Sequence, residues 1–176
     1  MENEVIEMVD IVDEHDVVIS TVSRHEMRQN RLRHRAVFIA VMDGAGRLLV
    51  HRRSPHKDVW PGWCDIAVGG VVSAGESYVA AAIRELNEEV GIKDVSVEPL
   101  DGGMCQTYED DQVSLMGRCF IVQAQSPLTF NDGEVAEAWW VHRDGLDELI
   151  RREKVLPDSL ALLWRYDCER SLSRTN

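Results

Sequence analysis

The stretch from Gly70 to Ile92, GVVSAGESYVAAAIRELNEEVGI, constrains the fold more than any other part of the chain. Gly69-Gly70 end an apolar run, Gly75-Glu76-Ser77 read as a turn opening a helix, and Gly91 is the residue type that most often stops one. Wound at 3.6 residues per turn, Val79, Ile83, Leu86 and Val90 share one apolar stripe, expected to pack on the body of the protein. Glu85, Glu88 and Glu89 then project from roughly the opposite flank as one cluster of carboxylates. Like charges at this spacing cost a few tenths of a kcal/mol per pair, so the cluster is mildly unfavourable by itself. A hard divalent cation held by oxygen ligands reverses that sign. A solvated acidic face is the alternative.

The spacing decides between them. The segment fits G-x5-E-x7-R-E-U-x-E-E-x-G-U, with U aliphatic, at Gly70, Glu76, Arg84, Glu85, Leu86, Glu88, Glu89, Gly91 and Ile92. At average residue usage such a match arises by chance on the order of once in ten million. The pattern resembles the signature of the Nudix hydrolases, without a departure. The resemblance implies that Glu85, Glu88 and Glu89 hold Mg²⁺ or Mn²⁺, that the Gly69 carbonyl is a further ligand, and that one carboxylate helps the attacking water. It also implies that Glu76 and Arg84 support the loop and orient the carboxylates, as groups behind a metal site do. A diphosphate repels nucleophiles, and bound metal both neutralises its oxygens and acidifies water. The motif speaks to fold and metal use and says almost nothing of substrate.

One hundred and seventy-six residues suit one domain with a proper core, and 44% apolar with 28% charged residues is ordinary globular composition. A net charge of −12 argues against a long nucleic acid as partner. Cys64, Cys105, Cys119 and Cys168 show no C-x-x-C spacing, which reads as free thiols in a reducing cytoplasm. The acidic start, MENEVIEMVDIVDEHD, lacks the features of a signal peptide, and no apolar run is long enough for a membrane span.

Taken in order, Glu7 to Arg24 reads as a hairpin, and 23–30 as a short helix or loop. Arg31 to Arg35 concentrates positive charge before a strand from Ala36 to Met42. The turn Asp43-Gly44-Ala45-Gly46 leads to a second strand, Arg47 to Arg53. A turn-rich, tryptophan-bearing loop, Ser54 to Trp63, precedes a short strand from Asp65 to Gly69. Beyond the helix, Val95–Cys105 and Val113–Gln123 read as two long strands. Ser126 to Gly133 is a loop, Glu134–His142 a strand, and helices follow near Gly145–Lys154 and Ser159–Ser171. The expected fold is α/β, a mixed sheet with helices on both faces, an α/β/α sandwich. The Nudix resemblance implies the same. Residues 1–34 are taken as the hairpin and lead-in of the same globule, and 35–172 as the hydrolase domain, with its motif at 70–92.

Further candidates lie outside the motif. Arg53 and Lys57 follow a strand whose end should sit near it, and suit a phosphate as a guanidinium fork and a point charge; plain surface cations are the alternative. Glu134 and Glu137 precede Trp139-Trp140, and many Nudix enzymes carry an acid just before such a Trp as base or metal ligand. Glu137 is the choice here, against a solvent-facing strand position. Trp60, Trp63, Trp139 and Trp140 read as packing residues, with stacking on a base the alternative.

The stretches VDIVDEHDVVI, LRHRAVFIAV and HRRSPHKDVWPGWCD look like the isopentenyl-diphosphate-isomerase-like branch of the family. Arg53 and Lys57 match the isomerase diphosphate-binding positions, and His34 is retained. The catalytic Cys and the metal-binding His flanking the motif Gly are Gly69 and Val71 here, and a second metal-binding His is Met27. Cys64 lies too early in the chain to substitute. Diphosphate binding is therefore expected without the carbocation chemistry. The expected activity is a Mg²⁺- or Mn²⁺-dependent hydrolase cleaving the pyrophosphate linkage of a nucleoside di- or triphosphate or another X-linked diphosphate. A non-catalytic nucleotide-binding sensor and an isopentenyl-diphosphate isomerase are the rivals. No nucleic-acid polymer or membrane is expected as partner, and a homodimer only by family resemblance.

Overall fold

The structure is a computed structural model in which residues 6–124, 127–130 and 133–163 are described. Strands β1 (Met8–Val12) and β2 (Val18–Ser23) form the expected antiparallel hairpin. Its turn is tied by Asp13, whose Oδ1 accepts from the N–H groups of His15 and Val17 at 2.8 and 3.0 Å. Ser23 caps the short helix α1 (Arg24–Gln29) by accepting from Glu26 N–H at 3.1 Å.

Strand β3 (His34–Met42) is the centre of a mixed sheet with nine strands among the described residues. Along one edge it runs parallel to β8 (Ser114–Gln123) over its whole length, from His34↔Leu115 to Met42↔Gln123. Its other edge is shared in turn by three partners. β1 meets it at Ile11↔His34, the segment before the motif helix bridges it at Ala36↔Val71 and Ile39↔Val68, and β4 (Leu48–Arg53) meets it only at Met42↔Leu48. The turn between β3 and β4 is where the sequence puts it, with Gly46 at φ 74°. The two strands diverge at once because the segment 68–71 takes the edge between them. β4 pairs instead with β5 (Cys64–Asp65) and with β9 (Val135–Val141).

The long strand expected at Val95–Cys105 is broken. β6 is only Glu98–Pro99, a 3-10 turn follows at Leu100–Gly103, and β7 begins at Cys105 and ends at Glu109. Asp101, Gly102 and Gly103 all have positive φ, and Pro99 has no N–H to donate, so an uninterrupted ladder cannot form there. Helix α3 (Arg143–Arg152) lies close to its expected place, and residues 157–163 are helical. The remainder of the last expected helix, part of the loop 126–133 and Cys168 lie outside the described residues.

The alternation of β3 sorts the core into two layers. Val37, Ile39 and Val41 pack with Ala81, Ala82, Leu86 and Val90 of helix α2 (Tyr78–Val90). Ala36 and Phe38 face the other way, toward Leu146 of α3 and Leu162. The expected α/β/α sandwich is the observed architecture. Among the described residues no helix is long and apolar enough to cross a membrane.

Helix α2 starts and stops as the sequence dictates. Ser77 caps it by accepting from Ala80 N–H at 3.2 Å, and Gly91 ends it at φ 72°. Its buried face differs from the expected stripe. Leu86 and Val90 are fully buried, but Val79 and Ile83 are 49% and 37% exposed. Tyr78, Ala81 and Ala82 complete the packed face, together with Glu85 and Glu89. The carboxylates that should oppose the core therefore lie against it, and of the three only Glu88 points outward. Small Ala side chains let the helix sit close to the sheet, and the sheet-side positions left over go to glutamates.

The two faces predict different costs. Leu86→Ala should lower unfolding free energy by about 3 kcal/mol, and Val79→Ala by under about 1 kcal/mol. Urea denaturation checks this, and equal losses would restore the stripe read from the sequence.

Candidate active site

The segment entering α2 lies directly on β3. Val37 N–H donates to Gly70 O at 3.0 Å, and Ile39 N–H to Val68 O at 2.7 Å. A Cβ at Gly69 would stand 2.0 Å from the Val37 carbonyl oxygen, and one at Gly70 2.6 Å from Glu85 Oε1. At 69 the sheet backbone leaves no room for a side chain; at 70 one would push the Glu85 carboxylate from its place on Arg84.

Arg84 is the hub of the acidic half. Its Nε and Nη2 donate to the two oxygens of Glu76 at 3.0 and 2.9 Å, and Nη2 also reaches Val71 O at 3.1 Å. Nη1 donates to Glu85 Oε1 at 2.7 Å and to Glu88 Oε2 at 3.1 Å. Burial pushes the Glu76 carboxyl up, but Arg84 and the Ser73 N–H outweigh it and hold Glu76 below the usual range. For Glu85 burial wins over Arg84 and the carboxyl is raised. Glu89 is 3% exposed, and its Oε2 has no hydrogen-bond partner among the described residues. Burial first, and the charge of Glu85 second, push Glu89 well above the ordinary carboxylate range.

The basic half adjoins it. Lys57, nearly buried, forms an ion pair with Glu134, and Glu134 also accepts a hydrogen bond from the Glu89 carboxyl. Burial raises the Glu134 carboxyl, but Lys57 outweighs it and keeps it low. Arg53 donates from Nη2 to Val59 O at 3.1 Å. Arg53, Lys57, Gly69 and Gly70 line one cavity of about 70 Å³, together with the buried Asp65 and Asp158. The buried Ser159 Oγ donates to Asp65 Oδ1 at 2.6 Å.

Glu137 is not brought to the site. It pairs across the sheet with Arg52, their side chains stand 3.7 Å apart, and its own is 65% exposed. Along β9, Glu137 and Trp139 share the face that packs toward α3, whereas α2 covers the opposite one, where Trp140 lies. Glu134 precedes the strand and escapes its alternation, so the acid beside Glu89 is Glu134. Trp139 and Trp140 pack on the two core layers, and Trp60 lines the cavity. Asp65 and Asp158 carried no motif signal. Only the fold places them here.

Among the described residues no three His, Cys, Asp or Glu side chains stand together as a ready metal site. The donors nevertheless suit a hard divalent cation. They are all oxygens, and one of them, Glu89 Oε2, is buried without a partner, a state that buried polar atoms rarely keep.

With the full G-x5-E-x7-R-E-U-x-E-E-x-G-U spacing running from Gly70 through α2 and laid against a mixed sheet, the protein is a Nudix pyrophosphohydrolase. The chain belongs to the Nudix family: residues 32–162 match the NUDIX domain. It is 40% identical over 159 residues to an uncharacterised Nudix hydrolase of Yersinia pestis, covering 90% of this chain and 85% of that one. It is 39% identical over 157 residues to the Nudix hydrolase YfcD of Escherichia coli K12, covering 89% and 84%. The crystal structure of DR0079 from Deinococcus radiodurans superposes with a TM-score of 0.76 at 27% identity, covering 91% of this chain and 99% of that one. The NUDIX domain of Shewanella oneidensis NrtR, solved with ADP ribose, shares the fold at 16% identity and a TM-score of 0.60, covering 88% and 100%. Members of this family generally use divalent metal ions.

Asp158, in the cavity wall, gives the protein a pH dependence. Burial, aided by the charge of Asp65, pushes the Asp158 carboxyl from 3.8 up to about 7. The unfolded chain loses this proton near pH 4 and the folded chain only near 7, so stability falls as pH rises through that window. Asp158→Asn should remove that part of the slope, on the order of 1–4 kcal/mol. Urea midpoints at pH 5 and 7.5 measure it. A wild-type-to-variant gap that stays constant with pH refutes it.

Proposed function

We propose that the chain hydrolyses the pyrophosphate linkage of a nucleoside di- or triphosphate, or of another X-linked diphosphate, with Mg²⁺ or Mn²⁺. The observation that carries this reading is the buried Glu89, one oxygen unpartnered, next to a cavity lined by Arg53 and Lys57. Glu85, Glu88 and Glu89, with the Gly69 carbonyl, are the groups that would hold the cation. When bound, it supplies charge neutralisation at the phosphoryl oxygens and acidification of water.

Each neighbouring residue then has a task. Arg53 and Lys57 grip the far phosphate. Glu76 and Arg84 fix the carboxylates, Arg84 by spanning Glu76, Glu85 and Glu88. Water attacks one phosphorus, the bridging P–O bond breaks, and the proton passes to a carboxylate. Glu134 takes that role in place of Glu137, because Lys57 keeps it ionised and it touches Glu89. Roughly 10 kcal/mol or more of barrier lowering has to come from electrostatics and positioning.

The isomerase alternative meets a steric obstacle. A Cys at position 69 would bring Cβ to 2.0 Å from backbone, so the sheet would have to open to admit the isomerase nucleophile. The same proposal takes residues 1–34 as part of one globule with the hydrolase domain at 35–172, supported by Gly75 N–H donating to Asp10 at 2.8 Å. It places the protein in the cytoplasm, acting on a small-molecule diphosphate rather than a nucleic-acid polymer, and a homodimer is consistent with it.

Two measurements test the roles. Glu134→Gln should lower kcat by about 100-fold or more on whichever diphosphate a phosphate-release panel identifies, and Glu137→Gln by no more than about threefold. Glu89→Gln should weaken Mn²⁺ binding, read by electron paramagnetic resonance without substrate, by about tenfold or more. Unchanged Mn²⁺ affinity removes the helix from the metal site. Tight nucleotide binding with no turnover at any metal concentration makes the protein a sensor instead.

A further inference from the structure

In a chain of net charge −12, four cations meet at one place. Arg24 and Arg28 of α1 line the same cavity as Arg53 and Lys57. Both arginines precede residue 32, where the family match begins, and neither belongs to the motif. Asp58 reports the convergence: burial pushes its carboxyl up, yet Arg28, Arg24, Lys57 and Arg53 together hold it below its usual range. Arg24 also acts on Glu134, which joins this cluster to Glu89. Such a gathering of like charge needs anions to offset it.

At present the chain supplies its own. Glu7 accepts from Arg24 Nη1 at 2.8 and 3.2 Å, and Asp58 accepts from Arg28 Nε at 3.1 Å. The Glu7 and Asp58 side chains are 40% and 46% exposed, so each can turn into water at small cost. A phosphate carries more charge and more acceptor oxygens than a carboxylate, and guanidinium pairs bind it by two parallel hydrogen bonds. We infer that Arg24 and Arg28 form a second anion subsite, which takes the terminal phosphate of a polyphosphate chain whose preceding phosphate lies on Arg53 and Lys57. Glu7 and Asp58 hold the subsite as internal counter-anions until the ligand displaces them. This rests on the phosphate grip of Arg53 and Lys57 proposed above, and it selects substrates with three linked phosphates over those with two.

The competing role for these residues is a tether, with both ion pairs merely fixing α1 to its surroundings. The two roles give opposite signs. The full chain is titrated calorimetrically with inorganic pyrophosphate and with tripolyphosphate, without divalent metal, for wild type, Arg24→Gln, Arg28→Gln, Glu7→Gln and Asp58→Asn. Wild type should bind tripolyphosphate about tenfold more tightly than pyrophosphate, and either arginine variant should bring that ratio close to one. Glu7→Gln and Asp58→Asn break the same ion pairs but keep the cations, so they should hold or raise the ratio. Equal affinity for both anions in wild type overturns the subsite, as does a parallel loss in all four variants. Arg53→Gln separates the two readings. If it leaves pyrophosphate affinity intact, the grip of the proposed function fails. If the tripolyphosphate preference holds but no diphosphate is hydrolysed, the subsite stands and the hydrolase reading falls.

Discussion

Two carboxylates on the sheet side of α2 set the terms for everything around them. Removing an ion from water costs far more than a helix gains by packing two more methylenes, unless a counter-charge or a cation meets it. Glu85 has its counter-charge in Arg84 at 2.7 Å, and Glu89 has only half its valence met. The surroundings follow from keeping Glu85 where it is. Gly70 has no Cβ because a Cβ would lie within the reach of that carboxylate, and Glu76 exists to hold the other side of the arginine. The motif is thus one mechanical unit. Its glycine, arginine and outer glutamate are the conditions under which two inner glutamates can be buried.

How much of this was legible in the sequence depends on the range of the interaction that decides each feature. Caps are local, and Ser77 and Gly91 were readable because a hydroxyl and a missing Cβ act within a few residues. β3 was readable as an apolar run from Ala36 to Met42, but not which of its residues face which core layer. The face of α2 was not. A periodicity argument ranks Val79 and Ile83 as core and Glu85 and Glu89 as surface, and is overruled by a polar demand that exists only once the sheet is in place. The break at 100–103 depends on Pro99 and on the positive φ of Asp101, Gly102 and Gly103, which a strand reading of Val95–Cys105 does not register. Glu134 and Glu137 differ by three residues, but Glu134 lies just before β9 while Glu137 sits inside it and pairs with Arg52. Choosing between them needs the point where β9 begins, which sequence fixes least well.

The same sheet brings opposite charges into adjacent positions without letting them cancel. Lys57 meets Glu134, and Glu134 meets Glu89, so the cationic cavity and the acidic helix touch through one carboxylate. In a strongly acidic molecule an anionic ligand is repelled at long range, with a reach of about 8 Å at physiological salt. Inside that distance the local cations dominate. An arrangement of this kind suits a ligand that arrives with divalent metal already neutralising part of its charge, and suits a free polyanion less.

The N-terminal hairpin belongs to this balance. Asp10 accepts from Gly75 N–H at 2.8 Å and from Thr21 Oγ1 at 2.7 Å, and Ala74 N–H donates to Met8 O at 2.9 Å. Asp16, in the hairpin turn, accepts from Arg35 at 2.7 Å and from the Tyr78 hydroxyl at 3.0 Å at the first residue of α2. The turn that presents Glu76 and the start of the helix that presents Glu85 are therefore held from outside the matched segment 32–162. α1 follows directly from β2 and carries the arginines of the cavity, so a displacement of the hairpin would move the support of the acidic helix and the cationic wall together. A site whose two halves share one buttress keeps their spacing, and for a ligand that must reach both halves at once the spacing between them decides what fits.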